Sequence, residues 1–432
     1  MGFYRAARPS KDSSRTNLAD LGGTARANLV VPIAVEFVAV DIDAFKFLIG
    51  DFDARLIGFR VEFGMNLQAG GGSSGDEAHD GLETAQWLAA PVLTDHSAWY
   101  RDRVESWKDC SSIDDDALLQ MIRADKIDIL VDLAGHFPEN KQQVLARRAA
   151  PIQIAHPVFP STRGNPSIDY IITDQWTLPK ELEPYLTEEP LRLPGGCMAF
   201  APPPESPNVT HLPAIKNGFI TFGLFQRRNK LNQRTLDLAG AVLIACPESA
   251  LLIHHGDPEL EEEDSPSQIS LLDEFQRRGI AGSRLKFLGA LPRNLAMAAM
   301  AQTDIALDST PFCGHTTTSE CLWMGIPVVT LAGDFYQSRV STGMLHQIGL
   351  GHLSALTEQE YVAAAVCLAS DLPALSQLRA TMRTRIECSP FIGGPRLAGE
   401  LENAYRQAWR QACLSNSQSK EQKHTDANKS EL

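Results

Sequence analysis

The stretch DIALDSTPFCGHTTTSECLWMGIPVVTL, residues 304–331, contains two short apolar runs on either side of a polar turn. The runs Asp304–Leu307 and Val328–Leu331 predict strands that are buried on both faces, and Thr317–Met324 between them predicts a helix. A strand, a helix and a second strand in this order form the repeating unit of a parallel sheet. The stretch therefore predicts an α/β fold.

The same alternation continues upstream of this stretch. Further strands are predicted at Phe219–Phe222, Leu251–His255 and Leu285–Gly289, with helices at Gln233–Ile244 and Leu295–Ala301. Strands and helices that alternate at these lengths are typical of a doubly wound parallel sheet. Nearer the start of the chain, a helix at Ala117–Ala124 and apolar strands at Ile127–Leu133 and Tyr170–Asp174 predict a second domain of the same kind.

Composition divides the chain into five parts. We expect a poorly ordered arm over residues 1–30, an N-terminal Rossmann-like domain over 31–189 and a proline-rich linker over 190–213. A C-terminal Rossmann-like domain with closing helices is expected over 214–414. Residues 415–432 are polar and charged, so we expect a disordered tail there.

The bulk properties narrow the class of protein. The 432 residues are 44% apolar with a net charge of -14, which favours a globular fold and disfavours nonspecific binding to nucleic acid or to anionic membranes. The eight cysteines include no CxxC pair, and no run approaches the about 18 apolar residues of a membrane span. We expect a cytoplasmic protein without nucleic-acid or membrane partners. The motifs of P-loop ATPases, dinucleotide oxidoreductases and α/β-hydrolases are missing from the sequence.

The turn before the helix Thr317–Met324 is the first candidate binding site. Ligands of open parallel sheets bind beyond the carboxyl ends of the strands, where this turn lies. Gly314 permits close approach of a ligand, and His315, Thr316 and Thr317 place hydrogen-bond donors at a helix N-terminus, which favours phosphates. Glu320 is placed to accept hydrogen bonds from a ribose diol. The equally weighted alternative is an ordinary helix cap, with a threonine as N-cap and Glu320 as its capping-box partner.

Basic residues follow neighbouring strands of the same predicted sheet. Gln226, Arg227 and Lys230 come after strand Phe219–Phe222, and a lysine or arginine there would neutralise a leaving diphosphate. Arg293 follows the strand Leu285–Gly289. A solvated basic loop is the alternative for each of them.

Two further features lie in the N-terminal half. His136 ends the strand Ile127–Leu133 and is a candidate catalytic residue, with a structural histidine as the alternative. Asp41 and Asp43 form a two-carboxylate pattern that is short enough to arise by chance, so we expect no metal site.

Several of these stretches together resemble a known family. The segments 127–136, 147–153, 168–174 and 304–333 are similar to the catalytic region of O-linked N-acetylglucosamine transferases and their bacterial relatives, glycosyltransferase family 41. The resemblance runs from about residue 80 to 410. Because the sequence contains no repeat of 20 to 50 residues, it resembles bacterial-type members without tetratricopeptide repeats.

The resemblance implies a GT-B fold, in which two Rossmann-like doubly wound domains face a cleft. It also implies a metal-independent, inverting enzyme that takes N-acetylglucosamine from UDP-GlcNAc and transfers it to Ser or Thr hydroxyls of a protein. By position, Lys230 matches the family lysine that neutralises the diphosphate. His315, Thr316 and Thr317 match the phosphate-binding turn, and Glu320 matches the ribose-binding carboxylate. Gln226, Arg227 and Arg293 fall at positions of uracil or phosphate contacts.

The N-terminal half departs from the family pattern. The nearest match to its opening strand and loop is Phe47–Phe52, and no histidine occurs before His79. The family's glycine-containing acceptor-side turn is replaced by Val158–Thr162, and a histidine beside the uracil is replaced by Ala296. We therefore expect a degraded or truncated first domain. Two other functions stay open, a cytoplasmic N-glucosyltransferase acting on Asn and a catalytically inactive UDP-binding or interaction protein.

Overall fold

The computed structural model describes residues 28–33, 83–88, 106–110, 113–137, 140–203, 205–256 and 258–430. Within these ranges the chain forms two parallel sheets with helices around them. The aspartates at 41 and 43, the segment Phe47–Phe52 and His79 lie outside the described residues, as does most of the expected N-terminal arm.

The first sheet contains seven parallel strands in the order β3-β2-β1-β4-β5-β6-β7. Its strands are β1 Asn28–Ile33, β2 Glu83–Leu88, β3 Ser106–Asp109, β4 Ile129–Asp132, β5 Ile152–Ala155, β6 Tyr170–Thr173 and β7 Glu189–Arg192. Two helices of this domain are α1 Asp115–Ala124 and α2 Gln142–Ala146. The order reverses between β1 and β4, as in a Rossmann domain. All seven strands of that order are present among the described residues. The connections among β1, β2 and β3 lie outside them, so the expected degradation of the first domain stays a prediction.

The second sheet repeats this order with six parallel strands, β10-β9-β8-β11-β12-β13. Its strands are β8 Thr221–Phe225, β9 Ala250–His254, β10 Leu285–Leu288, β11 Ile305–Leu307, β12 Val328–Leu331 and β13 Ser354–Ala355. Its helices are α3 Pro213–Asn217, α4 Gln233–Ala245, α5 Pro266–Arg277, α6 Arg293–Met300, α7 Thr316–Trp323, α8 Val340–Gln347, α9 Glu358–Ser370 and α10 Leu372–Glu387. The predicted architecture of two Rossmann-like doubly wound domains is confirmed.

Local sequence explains where several of these helices begin. Asn232 accepts a hydrogen bond from the backbone N–H of Thr235 at 3.1 Å and so starts α4. Thr357 and Glu360 form a reciprocal capping box at the start of α9. These caps satisfy backbone donors that have no partner inside the helix.

The two domains share one apolar core. It joins residues of the first sheet, such as Ile129 and Ile154, to Met344 and Leu345 of α8. Polar contacts cross the same boundary, because the Tyr336 hydroxyl donates to the Ile172 carbonyl at 2.9 Å.

The segment 190–213 is more ordered than a linker. Its first residues belong to β7, and Cys197, Met198 and Phe200 are buried in the shared core. The side-chain amide of Gln347 donates to the Met198 carbonyl at 2.8 Å. The many prolines of this segment favoured the prediction of a linker, but its short apolar run is buried where the chain passes from one domain to the other.

The last helix also differs from the expectation. Helix α11 runs over Gly394–Ser430, and Leu401 and Tyr405 pack in the shared core with strands of the first sheet. It therefore closes onto the first domain as well as the second. Residues 415–430, expected to be disordered, continue this helix. The segment 400–432 contains neither glycine nor proline, so nothing in it stops a helix.

Candidate active site

The predicted binding residues meet at the carboxyl ends of β8 and β11. These two strands are neighbours in the middle of the second sheet, at the point where the strand order reverses. Ligands of doubly wound sheets bind at this reversal, beyond the carboxyl ends of the strands. Lys230 comes from the loop after β8, and Gly314 and His315 come from the loop after β11.

Helix α7 begins at Thr316, and His315 precedes it as the N-cap residue without a side-chain capping bond. The alternative of a threonine N-cap is therefore wrong. Residues 314–317, called the phosphate turn below, present the N-terminus of α7, whose first backbone N–H groups have no partner inside the helix. Together with the helix dipole they favour an anion.

Lys230 reaches across to the phosphate turn. Its Nζ donates a hydrogen bond to the Cys313 carbonyl at 2.8 Å and lies 4.2 Å from the centre of the Phe312 ring. Burial lowers the pKa of Lys230 below its ordinary value, while the neighbouring Cys313 and Asp308 act in the opposite direction. The ammonium is therefore held beside the start of α7.

His315 contributes a neutral imidazole. Burial, and then the charge of Lys230, lower the pKa of His315 to about 3. Its Nε2 is buried and has no hydrogen-bond partner among the residues that the structure describes. A buried polar atom without a partner is costly, so a ligand oxygen or a water at this point would satisfy it.

Gly314 is required by close packing. A Cβ atom at this position would lie 2.3 Å from Oγ1 of Thr318 and 3.2 Å from Oδ1 of Asp308. The hydroxyl of Thr318 is fixed, because it bonds to Ser341 Oγ at 2.9 Å, and Ser341 Oγ donates to the Gly314 carbonyl at 2.9 Å. The turn can hold this shape only with glycine.

A second set of contacts ties the two loops together. Asn232 Nδ2 donates to the Thr310 carbonyl at 2.6 Å, and the Thr235 hydroxyl donates to the same oxygen at 2.9 Å. Both residues belong to the start of α4, directly after Lys230. The start of α4 therefore fixes Lys230 relative to the loop that carries the phosphate turn.

Glu320 and Arg293 form an ion pair in the structure. Arg293 Nε donates to Glu320 Oε1 at 2.8 Å, and the Glu320 side chain is 9% exposed. Arg293 is the first residue of α6, and Glu320 lies one turn into α7. Because the N-cap is His315, the third residue of α7 is Thr318, so Glu320 is not a capping-box partner. The pair stands beside the phosphate turn, where a ribose is expected.

Gln226 and Arg227 have different environments. Gln226 is buried, and its Nε2 donates to Asp308 Oδ1 at 3.1 Å, so it supports the loop after β11. Arg227 is half-buried next to Lys230, whose pKa it lowers. Their contacts with a nucleotide stay predictions.

His136 lies at the carboxyl end of the first sheet, in the loop that follows β4. It is exposed, its Nε2 is 3.3 Å from the Thr162 carbonyl, and its ring meets Phe159 edge-on at 5.4 Å. Its contacts in the structure are with the loop 156–163 of its own domain. A catalytic role for His136 stays a prediction.

The loop 156–163 is built around one buried arginine. Arg163 Nε donates to Asp132 Oδ2 at 2.6 Å, and its remaining N–H groups donate to the carbonyls of His156, Phe159, Ser161 and Asp132. Burial, and then the charge of Arg163, lower the pKa of His156 to about 3. The loop beside His136 is therefore held together by the buried Arg163, through its ion pair with Asp132 and its bonds to backbone carbonyls.

In the described part of the chain, no cluster of three or more His, Cys, Asp or Glu side chains is arranged to hold a metal ion. No single helix there is both long and apolar enough to span a membrane, and α9 with α10 reaches that length and apolarity only as a pair bent by 95°.

Comparison with known proteins identifies the family. The family model described as glycosyl transferase family 41 matches residues 94–194 and 211–395. The chain belongs to glycosyltransferase family 41. The first matched range contains His136, and the second contains every predicted nucleotide-binding residue from Gln226 to Glu320.

Relatives in family 41 cover most of this chain. The probable UDP-N-acetylglucosamine–peptide N-acetylglucosaminyltransferase SPINDLY of Arabidopsis thaliana is 39% identical over 319 residues, which are 73% of this chain and 34% of that protein. The SPINDLY protein of Oryza sativa is 39% identical over 71% of this chain and 33% of its own length. The chain thus spans about a third of the length of these relatives.

A solved structure supports the fold of this family 41 chain. A mutant of the O-GlcNAc transferase of Thermobaculum terrenum superposes with a TM-score of 0.74 and 29% identity, over 90% of this chain and 69% of that one. The GT-B architecture implied by the resemblance is therefore confirmed.

Sequence reasoning missed one residue of the loop after β11. Asp308 follows β11 and is 2% exposed. Its Oδ1 accepts hydrogen bonds from the N–H groups of Gly314 at 2.7 Å and Ser309 at 2.9 Å, and its Oδ2 accepts from the Thr330 hydroxyl at 2.8 Å. Asp308 thereby fixes the shape of the phosphate turn. An aspartate directly after a buried strand was the available signal.

Proposed function

We propose that this chain is a UDP-sugar-dependent protein glycosyltransferase that transfers N-acetylglucosamine from UDP-GlcNAc to Ser or Thr hydroxyls with inversion. The observation that carries the proposal is the convergence of three groups at the carboxyl ends of β8 and β11: the Lys230 ammonium, the N-terminus of α7, and the His315 Nε2, which has no partner among the described residues. Family membership and the names of the relatives support this donor and a peptide acceptor.

The roles of these residues in the transfer follow from the charge that develops on the leaving diphosphate. The acceptor oxygen forms a bond to the anomeric carbon, the bond from that carbon to the phosphate oxygen breaks, and the hydroxyl proton passes to a base. Negative charge grows on the departing diphosphate, where the ammonium of Lys230 and the N–H groups of α7 stabilise it. Glu320, oriented by Arg293, would bind the ribose. His136 is the candidate residue on the acceptor side.

We also propose that transfer needs no added metal ion. Lys230 and the helix N-terminus supply positive charge at the place where a divalent cation would otherwise neutralise the diphosphate. Activity is expected to persist in excess EDTA, and a loss that Mg²⁺ or Mn²⁺ restores would contradict this.

The deciding experiment measures donor binding and transfer separately. Titration calorimetry with UDP compares the wild-type protein with Lys230→Ala, for which we expect affinity to fall about 10- to 100-fold, the value of a hydrogen bond to a charged group. Lys216→Ala is the matched control, because Lys216 is exposed and precedes β8, so it lies at the amino ends of the strands, away from the site. Equal affinity of wild type and Lys230→Ala would refute the assignment of the site.

Transfer is then assayed with labelled UDP-GlcNAc, UDP-Glc and a GDP-linked sugar as a control for the base, in the presence of a peptide library. Label on Ser or Thr, located by mass spectrometry, supports the proposal, and label on Asn supports the N-glucosyltransferase instead. UDP binding without transfer or hydrolysis would indicate the inactive UDP-binding protein.

A further inference from the structure

Phe312 is an exposed aromatic residue with an unusual neighbour. Its side chain is 39% exposed, although a large apolar side chain gains from burial. Its ring centre lies 4.2 Å from Lys230 Nζ and 5.8 Å from the His315 ring. The backbone of Phe312 is held, because the Ser309 hydroxyl donates to its carbonyl at 2.6 Å. The loop thus presents the ring to the ammonium.

The hydrogen-bond partner of the Lys230 ammonium is also a neutral group. Lys230 Nζ bonds to the Cys313 carbonyl, and no ion pair between Lys230 and a carboxylate occurs within the described ranges. Asp308 is the nearby acid, but its oxygens accept from Gln226 and from the backbone of the turn. A bound carboxylate would cancel the charge of Lys230 and compete with an incoming diphosphate. A carbonyl and an aromatic face hold the ammonium and leave its charge available.

We propose that Phe312 is a positioning residue that fixes the Lys230 ammonium at the phosphate turn before the donor arrives. The inference rests on the proposed function, because it concerns the same diphosphate site. A lysine side chain that is already ordered loses less rotamer entropy when the diphosphate binds. The ring therefore acts on affinity and on the departure of UDP through Lys230 and needs no contact with the donor.

The test uses a substitution that keeps apolar bulk and removes the aromatic face. For Phe312→Leu we expect UDP affinity to fall about 3- to 10-fold, because binding must then order the Lys230 side chain and lose part of its rotamer entropy. We expect kcat for transfer to fall as well. Phe312→Tyr and Phe312→Trp keep the face and are expected to stay within about 2-fold of wild type. Phe335→Leu is the matched control, because Phe335 is 53% exposed on the next loop.

The outcomes separate the two proposals. Weaker UDP binding by Phe312→Leu at an unchanged melting temperature, restored by Tyr or Trp, supports the inference. Equal affinity of wild type and Phe312→Leu overturns it and leaves the proposed function standing. A loss that Tyr and Trp do not restore, or one that follows a lower melting temperature, also overturns it. A wild-type protein that does not bind UDP refutes the proposed function and this inference together.

Discussion

Replacing Gly314 with alanine tests whether the shape of the phosphate turn, separately from its charge, determines nucleotide binding. The new Cβ would lie 2.3 Å from Thr318 Oγ1, and ordinary contacts begin at 3.4 Å, so the two atoms must separate by 1.1 Å. Thr318 is buried and bonded to Ser341, so it cannot turn away without losing that bond. Gly314 does not have a positive φ, so alanine adds no backbone strain there.

The expected losses of stability and of UDP affinity follow from these contacts. Overpacking of a buried site costs about 1–3 kcal/mol, and the lost hydrogen bond adds about 1 kcal/mol. We therefore expect the free energy of unfolding of Gly314→Ala to fall by about 2–4 kcal/mol. Displacing the first N–H groups of α7 by about 1 Å should weaken UDP binding at least 10-fold, about 1.4 kcal/mol.

A double-mutant cycle isolates the contact between the added Cβ at position 314 and Thr318 Oγ1. Thr318→Ala removes the obstructing hydroxyl, so Gly314→Ala combined with Thr318→Ala should be less destabilised than the sum of the single variants by about 1–2 kcal/mol. Chemical denaturation gives the stabilities, and calorimetry with UDP gives the affinities. Strict additivity, or wild-type UDP affinity in Gly314→Ala, would refute the reasoning.

Three further predictions concern charge. Burial lowers the pKa of Lys230, so its ammonium contributes to UDP binding below that pKa and the contribution is lost as pH rises through it, at a pH below the ordinary 10.5. Calorimetry between about pH 7 and 10 should show this decline, whereas Lys230→Arg, always protonated, should show only the titration of UDP itself. Arg293→Met should weaken UDP binding about 10-fold through Glu320 and leave inhibition by pyrophosphate unchanged, and equal losses for both ligands would contradict a ribose role. Arg163→Met should lower the free energy of unfolding by about 3–5 kcal/mol, because it leaves the buried Asp132 without its ion-pair partner. Chemical denaturation should show a smaller loss for the double variant Arg163→Met with Asp132→Asn.

The second sheet could be predicted because its strands are short apolar runs between clear helices. The predicted strand Val328–Leu331 has the observed bounds, and the helix Thr317–Met324 is displaced by one residue. The strand predicted at Phe219–Phe222 begins two residues later, at Thr221, and continues to Phe225. Boundaries differ because strand ends depend on pairing with neighbours, which a local pattern does not contain.

The site was only partly predictable. Gly314, His315 and Lys230 were predicted from their residue types and from the strand exits on which they lie, and the structure brings them together. Asp308 was missed because its contacts with Gly314 and Thr330 depend on how the loop after β11 folds back and on the pairing of β11 with β12. The pairing of Arg293 with Glu320 was missed for the same reason. Contacts of this kind follow from which strands are neighbours, and one sequence does not give that.

The charges around the phosphate turn indicate how an acidic chain can bind an anionic nucleotide. Among the described residues, Lys230 and Arg227 place positive groups beside the turn, the Arg293–Glu320 pair adds no net charge, and burial raises the pKa of Asp308. Lys230 and Arg227 therefore at most match the two negative charges of a UDP-sugar diphosphate. His315 adds no positive charge, because its pKa is lowered to about 3. The net charge of -14 acts at longer range, where ions screen it beyond about 8 Å. Binding must therefore depend on oriented short-range donors, and for that reason a single methyl group in the turn should weaken it more than changes of charge on the surface.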